Sequence, residues 1–306
     1  MSEAETSIAR QKMNRRLIWG GCILILAAIA VGLLVFLKPK PTQVGFDGQA
    51  ALQDVQYQVD LGARIPGSQA HTNEVNWLRQ ELPKSGWQVE EQDSTLMGHP
   101  IQNIVAKRGS GPPWIILGAH YDSRMLADHD PNPALRTQPV PAANDGASGV
   151  AVLQELARSL PETTHARVWL VFFDTEDQGD IPGWDWILGS RAFAQQLTSK
   201  PDAVVVIDMI GDKNLDIYYE RNSDQALSQA IWAVADKAGY QQQFIPQPKY
   251  SMEDDHTPFL EKGMRAVDII DFDYPYWHTT QDTVDKVSAD SLHVIGDTLF
   301  RWIITQ

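Results

Sequence analysis

Along the chain, short runs rich in β-branched and aromatic residues alternate with longer stretches of helical periodicity. The runs are IQNIVAK (101–107), WIILGAH (114–120), RVWLVFF (167–173), DAVVVIDMI (202–210), LDIYYE (215–220) and MRAVDII (264–270). Between them the pattern predicts helices over 70–83, 146–160, 189–198, 224–238 and 288–304. Strands alternating with helices predict one α/β domain whose sheet is covered on both faces. WIILG, VWLVFF and AVVVI are nearly all apolar, which predicts central strands buried on both sides. There is no internal repeat and no low-complexity tract.

A different pattern precedes the domain. Residues 17–37, LIWGGCILILAAIAVGLLVFL, contain no charged residue. At 1.5 Å rise per residue, roughly 20 residues cross the hydrocarbon core of a bilayer. Arg10, Lys12, Arg15 and Arg16 precede the run, and Lys38 and Lys40 follow it. The heavier basic flank is expected to stay in the cytoplasm, which places the rest of the chain outside it. The run is long for a signal-peptide core, and no small-x-small cleavage site follows. The expected division is a cytoplasmic tail (1–16), a transmembrane anchor (17–37), a linker (38–47) and a catalytic domain (48–306).

Composition narrows the function classes. The 306 residues are 43% hydrophobic and 21% charged, which excludes a disordered or collagen-like chain. Twenty-five basic against 39 acidic residues give a net charge of −14. A phosphate backbone needs a basic footprint, so no nucleic-acid partner is expected. The single cysteine, Cys22, falls inside the apolar run, so neither a disulfide scaffold nor a cysteine-rich zinc fold is available. Eight histidines and many carboxylates leave a His/carboxylate metal site open.

In α/β sheets, ligands bind at the carboxyl ends of the strands. There the sequence places His120-Tyr121-Asp122-Ser123, Asn144-Asp145-Gly146, Asp174-Thr175-Glu176-Asp177, Asp208-Met209 and, after the last strand, Trp277-His278. One aspartate at a strand end is commonly a cap or turn former. Five such segments together are explained better by a metal. Imidazole nitrogen and carboxylate oxygen suit zinc, which in catalytic sites takes three protein ligands and leaves a position open. In Glu176-Asp177 one carboxylate can ligate while its neighbour handles protons. Gly146-x-x-Gly149 is weak as an anion site and reads better as a close approach of backbone to the metal loop.

GAHYDS, ANDGASGV, FFDTED, IDMIG, DDHTPFL and YWHTTQDT occur in this order. Together they resemble the M28 zinc aminopeptidase superfamily, over a stretch from about residue 48 to the C-terminus. The resemblance implies a single α/β domain with a mixed, mostly parallel central sheet flanked by helices. Within the superfamily, Asp254-Asp255-His256, Trp277 before His278, and Trp184 and Trp186 ahead of Gly189-Ser190-Arg191 look most like the glutaminyl-peptide cyclotransferases. The membrane anchor also resembles the Golgi form of the animal cyclase. Three departures are Asp177 where the cyclases usually have Glu, Ala119 where the animal cyclase has a cysteine, and a Trp loop one residue shorter than the cyclase pattern, which leaves both Trp184 and Trp186 as pocket candidates.

Carried over residue by residue, the resemblance implies Asp145, Asp177 and His278 as ligands of one zinc ion. It implies Glu176 as general base and acid, Asp208 and Asp254 as its hydrogen-bond network, and Trp277 with Trp184 or Trp186 as the substrate pocket. The implied reaction is an acyl transfer that converts the N-terminal Gln of a peptide or protein to pyroglutamate and releases ammonia. The alternative is a two-zinc M28 aminopeptidase, with His120 and Asp208 on a second ion and Asp145 bridging. A further alternative is an inactive, membrane-tethered binding module. His256 is expected to be a supporting or structural residue, and His129 and His165 surface residues. A monomeric catalytic domain outside the cytoplasm is the simplest expectation.

Overall fold

The computed structural model describes residues 45–306. The expected tail and anchor, and all of the linker before Gly45, lie outside the described residues. Among the described residues, no helix is long and apolar enough to cross a membrane.

The chain enters through two helices, α1 (Gly48–Asp60) and α2 (Gln69–Glu81). Each starts at a side-chain cap. Asp47 accepts from the Gln49 and Ala50 N–H groups at 2.9 and 3.1 Å, and Ser68 accepts from His71 N–H at 3.1 Å. A hairpin follows, β1 (Gln88–Leu96) and β2 (His99–Arg108). Its two turn residues, Met97 and Gly98, both have positive φ, the twist that a two-residue hairpin needs. Next come β3 (Gly111–His120), α3 (Ala147–Ser159), β4 (Ala166–Phe173), α4 (Leu188–Gln196) and β5 (Ala203–Asp208). The remainder is β6 (Ile217–Tyr219), α5 (Gln225–Ala238), β7 (Phe244–Pro248), α6 (Thr257–Glu261), β8 (Ala266–Ile270) and α7 (Ala289–Ile304).

Six strands form one sheet in the order β1-β2-β4-β3-β5-β8. The pairs β4–β3, β3–β5 and β5–β8 are parallel, whereas β1–β2 and β2–β4 are antiparallel. The nearly all-apolar runs are therefore β4, β3 and β5, the inner parallel strands. Alternate residues of each strand divide between two cores. Ile115, Leu117, Leu170, Phe172, Val205 and Ile207 face α1, α3 and α7. Ile116, Val171, Phe173, Val204 and Val206 face α4 and α6, around Phe193 and Phe259. Each such side chain, fully buried, contributes about 1.5–3 kcal/mol.

The pattern missed α1, α6, β1 and β7. β1 (QVEEQDSTL) is a polar edge strand with no fully buried residue, so it carries no apolar run to detect. The run at 215–220 forms β6, which pairs with β7 in a separate two-stranded sheet and does not extend the central one. All four parallel strands end at the same edge, and that edge carries the site.

Candidate active site

His120 closes β3, Asp208 closes β5, and Glu176 and Asp177 follow β4 after Asp174 and Thr175. Asp145 lies just before α3, and His278 lies in the loop after β8. Asp145, Asp177 and His278 are all buried, and one ligand atom of each lies within 4.8 Å of the others. His278 Nε2 stands 2.9 Å from Asp177 Oδ1 and 3.8 Å from Asp145 Oδ2. A second triad, His120, Asp145 and Asp208, shares Asp145. His120 Nε2 is 3.2 Å from both Asp145 Oδ1 and Asp208 Oδ1. Asp145 thus turns one oxygen toward each histidine.

The turns that aim these groups hold unusual backbone. Ala142, Thr175, Met209 and His278 itself have positive φ. Each such non-glycine residue costs on the order of 1–3 kcal/mol and persists only where its surroundings enforce it. Two buried carboxylates do much of that enforcing. Asp122 accepts from the N–H groups of Glu176 and Asp177 at 2.9 and 3.3 Å, and from the Gln178 amide at 2.9 Å. Asp282 accepts from the N–H groups of Asn144 and Asp145 at 2.8 and 3.1 Å, and from the Tyr274 hydroxyl at 2.6 Å. Arg64, fully buried, donates to the Pro141 and Ala142 carbonyls just upstream. None of these three was singled out from the sequence, although Asp122 and Asp282 both sit inside recognised motifs. Gly146 meets the expectation of a close approach: at φ +100°, a Cβ there would lie 3.0 Å from the Asp122 carbonyl oxygen and 3.0 Å from the His120 ring.

Electrostatics show what this cluster lacks. Burial pushes the Glu176 carboxyl well above its usual range, with the neighbouring Asp177 and Asp254 charges adding to it. Burial, reinforced by Asp145, lifts Asp177 to about 6. Burial likewise lifts Asp208 to about 7 against the opposing pull of His120. Asp145 goes the other way: burial would raise it, but the hydrogen-bonded His120 and the His278 charge hold it below the carboxylate range. His278 rises to about 9, because Asp177 and Asp128 outweigh its burial. Asp145 Oδ2, Asp177 Oδ2 and both ring nitrogens of His278 are buried without a hydrogen-bond partner. His278 Nε2 faces both carboxylates, while Nδ1 faces Asp128 at 3.5 Å, and this unpaired buried donor set fits a divalent cation held by Asp145, Asp177 and His278 through Nε2.

A cavity of about 160 Å³ opens onto these acids. Glu176, Asp208 and Asp254 line its polar end, and Trp186, Met252, Phe272 and Trp277 its apolar walls. Trp186 and Trp277 both stack on His278, with ring centroids 5.9 and 3.8 Å away. Arg124 sits over Trp186 at 5.0 Å and donates to the Asp177 carbonyl at 3.1 Å. Trp184 lies elsewhere: it stacks on His99 at 3.5 Å and packs with Leu96, Ile101 and Leu188. His129 is exposed but abuts Trp277 edge-on at 4.5 Å, so it stands at the cavity rim.

The family model described as peptidase family M28 matches residues 103–303. The glutaminyl-peptide cyclotransferase of Boiga irregularis is 28% identical over 284 residues, covering 75% of this chain and 74% of that protein. The crystal structure of Porphyromonas gingivalis glutaminyl cyclase superposes with a TM-score of 0.79 at 32% identity, covering 84% of this chain and 97% of that one. A Zn-dependent exopeptidase from Parabacteroides distasonis superposes with a TM-score of 0.82 at 28% identity, covering 86% and 99%. The family model covers more than half of the chain, and the chain belongs to peptidase family M28.

Proposed function

We propose that this domain is a zinc-dependent glutaminyl-peptide cyclotransferase that converts the N-terminal Gln of peptides and proteins to pyroglutamate. The observation that carries the reading is the small cavity, walled by Trp186 and Trp277 and floored by Glu176, Asp208 and Asp254. Its size and apolar walls suit one short, uncharged side chain and exclude water from around it. The relatives named above as cyclases add support. Asp145, Asp177 and His278 would hold zinc, whose chemistry at such a site is Lewis acidity toward an amide carbonyl.

The rest of the reaction belongs to the side chains. Trp186 and Trp277 hold the Gln side chain so that its own α-amine faces its δ-carbonyl carbon. The amine nitrogen bonds to that carbon, and Glu176 accepts the proton that the nitrogen loses. The bond from the δ-carbon to the amide nitrogen then breaks. Glu176 returns the proton to that nitrogen, which leaves as ammonia. Asp208 and Asp254, on the same floor, set the orientation of Glu176.

A second reading is favoured by one observation. His120 Nε2 lies equally close to Asp145 and Asp208, so the triad could hold a second ion, as in the expected two-zinc aminopeptidase. One experiment separates the two. The full chain, with zinc, is given a peptide bearing N-terminal Gln, and the product mass is followed. Loss of ammonia with the peptide bond intact is expected, and Glu176→Gln should abolish it. Release of the free N-terminal residue would instead establish the aminopeptidase.

The anchor expected at 17–37 completes the proposal, with the N-terminus in the cytoplasm and the domain outside it. Protease treatment of sealed vesicles should then digest the domain only from its own side of the membrane.

A further inference from the structure

A second set of ligand atoms begins at the cavity floor with Asp254 and runs back to His256 and Asp268, which do not line the cavity. Asp254, His256 and Asp268 each bring one carboxylate or imidazole atom to within 4.8 Å of the others. All three residues are buried, and His256 and Asp268 have no exposed surface at all. Both oxygens of Asp268, Oδ2 of Asp254 and both ring nitrogens of His256 lack a hydrogen-bond partner. Asp255 and Glu220 add two more buried carboxylates. Among the described residues, no Lys or Arg pairs with any of these four acids, and the basic group in direct contact with them is His256, with the His120 charge acting on Asp255. One imidazolium offsets at most one negative charge, and an uncompensated buried carboxylate costs several kcal/mol.

The orientation of His256 points to a cation. Its Nε2 lies 3.3 Å from Glu220 Oε2. Glu220 is itself fixed by the N–H groups of Asn222, Ser223 and Met252 and by the Ser223 hydroxyl. The other ring nitrogen, Nδ1, faces Asp268 Oδ2 at 4.0 Å. That is too long for a hydrogen bond. It is within the span of two donor atoms bound to one ion at about 2.0–2.2 Å each. A carboxylate behind one imidazole nitrogen, with further ligands before the other, is the usual surrounding of a metal-bound histidine.

We propose that Asp254, His256 and Asp268 bind a divalent cation of their own, with Glu220 orienting His256. The nitrogen-and-carboxylate donor set suits zinc. The ion would tie the loop bearing Asp254 to β8 and so brace the cavity wall from behind. This site shares no residue with the His120–Asp145–Asp208 triad, and Asp254 is its one group that also lines the cavity.

The test is a metal count on the full chain, purified in mild detergent, loaded with zinc and washed. His256→Ala is expected to lose one zinc equivalent per chain relative to the unaltered protein, and His120→Ala to lose none from this site. An unchanged zinc content in folded His256→Ala overturns the proposal. If that variant fails to fold, Glu220→Gln keeps all three ligands and should weaken one equivalent about 10–100-fold in chelator competition. Unaltered affinity in that variant counts against the site. A zinc-edge anomalous map of the unaltered protein needs no variant: a peak between His256 Nδ1 and Asp268 is expected, and its absence refutes the proposal.

Discussion

Asp282 offers the sharpest test of how the candidate ligand set is held. Its carboxylate accepts three hydrogen bonds, from Asn144 N–H, Asp145 N–H and the Tyr274 hydroxyl. Asp282→Ala strands three buried donors, each costing about 1–3 kcal/mol, partly relieved by movement or water. A total near 4 kcal/mol is expected, a large share of the about 5–15 kcal/mol that stabilises most domains. Asp282→Asn is gentler. Its amide oxygen can still serve Asn144 and Tyr274, but its NH₂ group confronts Asp145 N–H, so about 2 kcal/mol is expected. Because the lost contact is to the backbone of Asp145, zinc affinity should fall about 10–100-fold, as for other residues that orient a ligand. Urea denaturation of the zinc-free protein gives the first quantity, and chelator competition gives the second. A folded Asp282→Asn variant whose zinc affinity stays within twofold of the unaltered protein would refute the reasoning, since the ligand loop would then be held by something else.

Three further outcomes follow from particular contacts. Glu74 is buried, both its oxygens lack partners, and burial lifts its carboxyl from the ordinary 4.5 to about 8. The folded state therefore holds a proton that the unfolded chain releases between pH 4.5 and 8, and stability falls as pH rises through that window. By pH 7 the loss is on the order of 3 kcal/mol, so Glu74→Gln should raise the denaturation midpoint at pH 8 and leave it nearly unchanged at pH 4.5; an equal shift at both would exclude the linkage. Trp186→Ala should lower kcat/KM about 10–100-fold by removing a cavity wall, whereas Trp184→Ala should cost about 1 kcal/mol of stability and leave kcat/KM within twofold. The reverse pattern, in kinetics on a Gln-peptide, would put the wrong tryptophan in the pocket. Stripping zinc with a chelator should lower Tm, and restoring zinc at about 1,000 times its Kd should return about 4 kcal/mol. A Tm indifferent to zinc would argue against Asp145, Asp177 and His278 as a metal site.

Local order along the chain determined a good deal. Apolar β-branched runs report strands because burial on both faces removes every polar position, and β3, β4 and β5 were legible for that reason. The strand-end acids were legible because parallel strands deliver all their carboxyl ends to one edge, whatever the details of packing. β1 was not, since a polar edge strand carrying Glu90, Glu91 and Asp93 takes its structure from the ladder with β2. Other features exist only once the chain is folded. Asp282 clamps residues 137 and 138 positions away, and no periodicity encodes such a contact. Trp184 and Trp186 are two residues apart, yet one stacks on His99 and the other on His278. That choice depends on a loop that ends at Ile187 in the left-handed region, where backbone geometry and not residue type aims the side chains. Residue chemistry determined which groups could meet at the sheet edge; long-range hydrogen bonds and strained turns decided which atoms face one another.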